Sequence, residues 1–191
     1  MRQRRSEETV QRLLDTALVA FTEGDFTLRG VTTRSGVSVG SLYHHFGSFD
    51  GLAAALYSEC MALLLDALID ALERTRTPRT GVRAIVRAYL AFTRTSPARA
   101  RFIHAAPNTA GHAAAIAERK APQIDRLVAW LRPHIAAGTV ADLPIPLIEM
   151  LLIGPLAEVT RRWLAGVPGI DLAEAARVLP EPIWRSLQAG Y

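Results

Sequence analysis

A chain of 191 residues, half of them hydrophobic and carrying a net charge of +4, can bury a sizeable core as one medium domain or as a small domain beside a larger one. Its single cysteine, Cys60, excludes an intramolecular disulfide and fits a reducing, cytoplasmic setting with inert core packing. Residues 1–5 are followed by a polar segment rather than an apolar run. The apolar stretch 143–157 is interrupted by Pro144, Pro146, Glu149 and Pro155, so neither a leader nor a membrane span is expected.

Alanine and leucine dominate and aromatic residues are few, which favours helices. A first helix is predicted over 6–23, with Ser6 as N-cap, an apolar face of Val10, Leu13, Leu14, Ala17, Leu18 and Phe21, and a stop at Gly24-Asp25. Two short helices follow over 28–35 and 39–46. Gly36 suits the left-handed backbone that ends the first of them, Val37 points inward, and Ser38 caps the second. A long helix then starts behind Ser48 and carries Leu52, Leu56, Met61, Leu64, Leu68 and Leu72. Pro78 marks a boundary. Helices are expected over 81–95 and, after Ser96-Pro97, over 98–104; a turn covers 105–111 with Pro107 and Asn108. Further helices are read over 112–137, kinked near Pro122, over 146–165, and over 171–188, split at Pro180 and Pro182. The result is an all-α chain of about nine helices with no credible strand pair.

The run 36–46 carries most chemical meaning. It reads as the turn and second helix of a helix-turn-helix, with small residues at the helix start that allow close approach to base edges, then Tyr43, His44 and His45. Thr27, Val31, Thr32, Ser35, Gly36, Val37, Ser38, Gly40, Tyr43, His45, Phe46, Ser48 and Leu52 occupy the matching positions of the pattern T-x-x-x-I-A-x-x-A-G-V-S-x-G-x-x-Y-x-H-F-x-S-K-x-x-L, most of them identical, with Val31, Thr32 and Ser35 as substitutions. On these residues the chain resembles the TetR family of one-component transcriptional repressors. Motif-level likeness covers about residues 6–56; beyond that, helix number and order match.

The resemblance implies a DNA-binding domain over 1–51 and an effector-binding and dimerisation domain over 52–191. Val39, Gly40, Ser41 and His44 are then expected to face bases, with Ser38 at the start of the same helix. Tyr43 and His45 are expected on phosphate, Thr27 caps the second helix beside phosphate, and Thr33 and Ser48 complete the DNA-facing set. Two departures stand out: Val39 and Phe49 occupy positions where the family commonly has a cation, and the connection between the first two helices is short. A metal at His44–His45 is disfavoured, because adjacent helical residues point about 100° apart.

Residues 1–51 hold six arginines and six acidic residues and so are neutral in bulk. Between 27 and 49 lie only Arg29 and Arg34, and Arg2, Arg4 and Arg5 form a basic arm, so a small local phosphate-contacting face is expected. In the larger part, Tyr89, Phe92, His104, His112, Trp130 and Glu158 are amphipathic or polar residues among apolar helices, the pattern of a cavity lining. The helix over 146–165 has small and apolar residues that suit self-association. The expected partners are an operator duplex, a second copy of the chain through its C-terminal helices, and a small-molecule effector, with no cofactor, metal or membrane. No nucleotide-binding, zinc or hydrolase signature is present, so an enzyme is not expected. The rivals are a repressor without ligand control and a non-specific architectural DNA binder.

Overall fold

A computed structural model describes residues 2–105 and 110–190; the turn expected around Pro107 and Asn108 lies largely outside them. Among the described residues the chain forms ten α-helices and no strand: α1 (Arg2–Thr22), α2 (Leu28–Ser35), α3 (Val39–Phe46), α4 (Phe49–Glu73), α5 (Pro78–Thr95), α6 (Pro97–Ala105), α7 (Ala113–Ala136), α8 (Ile145–Leu164), α9 (Leu172–Val178) and α10 (Pro180–Leu187). A single 3-10 turn, Ala110–His112, precedes α7, and an isolated bridge joins Val140 to Gln188.

Local chemistry explains most boundaries. Gly24 and Gly36 take left-handed φ of 76° and 67° where α1 and α2 stop. Thr27, Ser38, Ser48 and Asp171 cap α2, α3, α4 and α9, their side-chain oxygens accepting from the backbone N–H three residues on. Two boundaries differ from expectation. α1 begins at Arg2, so Ser6 lies inside the helix, where Arg4 pairs with Glu8. α5 begins at Pro78, because Thr77 and Thr80 form a reciprocal capping box and proline fits the first helical position. α7 runs through both Pro122 and Pro133, each costing a hydrogen bond without ending the helix.

α4 also corrects the expectation that nothing reaches membrane-span length. It is long and apolar enough by composition, but 56% of its most apolar window is buried inside the protein. It is the central helix of the molecule and serves two cores. Leu52, Leu56 and Cys60 join Leu13, Ala17, Val31, Val37 and Leu42 in the first. Leu64, Leu68 and Leu72 join Val82, Ile85, Val86, Tyr89, Ile148, Leu156 and Ile183 in the second. α6 also reaches into the first core, where Phe102 is fully buried, edge-on to Phe21 at 4.8 Å and to Phe26 at 5.5 Å.

Candidate nucleic-acid interface and internal cavity

α3 is held by its buried residues and by what surrounds it. Leu42 is fully buried and Val37 nearly so, which fixes the turn and turns the opposite side of the helix outward. On that side Val39 is 41% and Tyr43 45% exposed, one helical turn apart, with Gly40 and His44 exposed beside them. Ser41, His45 and Ser48 are half-buried at the edges of this face. Ser38 Oγ accepts from Ser41 N at 3.2 Å, leaving its O–H free to donate outward. Thr33 is exposed on α2, whereas Thr32 Oγ1 donates back to Leu28 O at 2.8 Å and is engaged within the helix. Thr27 Oγ1 accepts from Gly30 N at 2.9 Å and donates to Asp25 at 3.2 Å. An exposed apolar-polar strip on a short helix, with hydroxyls at helix starts, can meet a base edge and a phosphate oxygen together. The His44 and His45 rings lie 5.2 Å apart, and the described residues hold no group of three or more metal-ligating side chains.

The electrostatics are weaker than the sequence implies. Arg34 is ion-paired to Glu23, and its Nε lies 3.6 Å from Asp25, so the acidic connection after α1 neutralises it. Among the described residues, Arg29 alone is an exposed, unpaired arginine on α2 and α3. The basic arm is the first turn of α1, with Arg4 bound to Glu8. Phe49 is no gap in the surface: its ring packs on Phe26 at 5.0 Å, joining the aromatic cluster around Phe102. The short α1–α2 connection is possible because residue 30 is glycine. A Cβ there would lie 2.6 Å from the Asp25 carboxyl and closer still to its backbone carbonyl.

The second core contains a cavity of about 300 Å³ bounded by α4, α5, α6, α7, α8 and α10. Of the six residues expected to line a cavity, the structure brings together Tyr89, His104 and Trp130. Phe92 packs against the core outside the cavity, His112 lies in the turn before α7, and Glu158 sits on the surface. Hydrogen bonds from Arg161 and Arg162 hold the Glu158 carboxyl down at about 2. Inside, Tyr89 is 5% exposed, and burial pushes its phenol up to about 12. Its hydroxyl stands 3.4 Å from His104 Nε2. Burial, and then the charge of Arg161, lower the His104 pKa below its ordinary value. Trp130 closes the cavity over Gly81: a Cβ on that glycine would lie 2.6 Å from the indole. Most of the lining is aliphatic, including Met61, Leu65, Ile103, Leu127 and Leu152. Sequence reading misses these because an apolar residue facing a cavity has the same helical spacing as one filling a core.

Residues 13–56 match the family model described as bacterial regulatory proteins, tetR family. No curated protein sequence matches the chain. Among solved structures, a TetR-family transcriptional regulator from Pectobacterium atrosepticum is similar at 26% identity, TM-score 0.69, over 97% of each chain. A TetR family transcription regulator from Marinobacter aquaeolei VT8 is similar over 100% of both chains, at 19% identity and TM-score 0.74. The fold also matches the transcriptional regulator FadR from Bacillus subtilis, solved in complex with stearoyl-CoA. That likeness is 13% identity, 91% of this chain, 96% of that one, and TM-score 0.70.

Proposed function

From the premise that this chain is a TetR-family DNA-binding regulator, we propose that it acts as a homodimeric repressor on a palindromic operator and leaves it when a small molecule fills the α4–α8 cavity. The observation that carries this reading is the pairing of an exposed α3 face with an apolar cavity through two shared helices. α4 contributes to both cores, and α6 places Phe102 in the first while His104, two residues on, lines the cavity. A ligand that moves α6 therefore acts on the packing beneath α2 and α3, and its differential affinity for two such arrangements sets the change in operator affinity.

Residues 1–51 are assigned to reading and 52–191 to effector binding and dimerisation, with α4 as the shared rod. Thr27, Thr33, Ser38, Val39, Gly40, Ser41, Tyr43, His44, His45 and Ser48 are assigned to the operator. Dimerisation is assigned to α8, where Leu147, Met150 and Leu151 are exposed, Met150 by 67%, and the Gly154 position faces open space. A two-fold pair then presents two α3 helices to successive major grooves. The bulk neutrality of residues 1–51, deepened by the pairing of Arg34, counts against a non-specific architectural binder.

The test is a gel shift of a palindrome selected by the protein from random DNA, repeated with compounds that raise its melting temperature. Ligand-dependent release is expected. Retention at unchanged affinity with the cavity demonstrably occupied contradicts effector control.

A further inference from the structure

Resting on the reading of the cavity as the effector site, we infer that the enclosed part of its ligand is an uncharged hydrocarbon bearing one oxygen, and that Tyr89 and His104 hold that oxygen. Among the described residues the lining contains no lysine, arginine or aspartate. Its one carboxylate, Glu149, is exposed and keeps its water. The cation acting on His104, Arg161, is outside the lining, exposed and bound to Glu158 at 2.8 Å. A buried ammonium or carboxylate would enter with no counter-charge, at a penalty an apolar chain cannot offset. A neutral chain gains from every methylene it places against Leu64, Leu68, Ile85 and Leu152.

The polar end is as specific as the apolar end. The 3.4 Å separation of Tyr89 Oη and His104 Nε2 is long for a hydrogen bond, so both groups keep capacity for a third partner. Tyr89 stays a phenol and donates. His104, neutral at pH 7 because burial disfavours its charged form, either donates or accepts. A hydroxyl or carbonyl oxygen between them satisfies both, whereas a bare hydrocarbon satisfies neither. Tyr57 completes the aromatic wall on the α4 side, its own phenol raised by burial.

The experiment compares four probes of equal chain length, 1-octanol, octane, octylamine and octanoate, on the whole protein. Binding is read from the emission of Trp130 and Trp184, which both line the cavity, and from melting temperature. Octanol is expected to bind about tenfold more tightly than any of the other three. Tyr89→Phe and His104→Leu are each expected to weaken octanol about fivefold or more while leaving octane unchanged, which separates lost recognition from lost folding. Tighter binding of octylamine or octanoate, equal binding of octane and octanol, or no binding by any probe overturns the inference. Operator release is scored separately. Octanol that binds as expected yet releases no DNA leaves the ligand class standing and removes effector control. Release driven by a charged probe does the reverse.

Discussion

On the proposed function, Arg29 is the residue on which the electrostatic grip of α2 and α3 on DNA turns. With Arg34 tied to Glu23 and Asp25, it is the exposed unpaired arginine left on α2 and α3. Arg29→Ala is therefore expected to lower the slope of log affinity against log salt by about 0.9 for each protomer, as loss of one phosphate contact does. Arg34→Ala should change the slope far less. Tyr43→Phe removes a neutral donor, so it should weaken binding by about 1 kcal/mol per protomer and leave the slope alone. An anisotropy titration at several salt concentrations checks all three. Gly30→Ala presses a methyl into Asp25 and should lower stability by about 1–3 kcal/mol in urea denaturation. His104 has a definite pH sign. Its folded pKa is depressed, so the unfolded chain binds the extra proton first. Stability is then fully present above the ordinary histidine value near 6.5 and falls as pH drops from there toward the folded pKa. Melting temperature should decline over that interval in the natural protein and decline less in His104→Leu.

At the scale of elements, α6 is the short helix with two duties. Phe102→Ala should cost about 3–5 kcal/mol by emptying a fully buried ring site against Phe21 of α1 and Phe26 of the α1–α2 connection. The milder Phe102→Leu should preserve folding while weakening the link between cavity occupation and operator affinity, measured as the ratio of operator affinities with and without ligand. The helix-turn-helix was legible because each boundary rests on a residue type with one dominant use: Thr27, Ser38 and Ser48 as caps, Gly36 in the left-handed region. The start of α1 was not, because Ser6 reads as a cap only if nothing helical precedes it, and the Arg4–Glu8 pair supports another turn. Phe49 and Phe102 were not legible either. Their partners, Phe21 on α1 and Phe26 in the α1–α2 connection, lie far away in sequence, and no periodicity within one helix reveals such a ring cluster. Tyr89, His104 and Trp130 stood out as polar or amphipathic, but the same signal pointed to Glu158, whose partners Arg161 and Arg162 keep it on the surface.

For the molecule as a whole, two cores share α4, so under the proposed effector control whatever shifts the second core reaches the first through α4 and α6. The proposed function requires self-association, since one α2–α3 face with Arg29 as its single free arginine offers little affinity alone. Met150→Glu together with Leu151→Glu places charge on the exposed apolar strip of α8. That variant is expected to sediment as a monomer and to bind a palindrome no better than a single half-site. Whether the protein reads a palindrome is decided by selection of DNA from a random pool, followed by affinity measurement at fixed salt. One two-fold-symmetric sequence is expected, bound at least about a thousandfold more tightly than a scrambled duplex. Uniform affinity across the pool, with no symmetric sequence enriched, would contradict it.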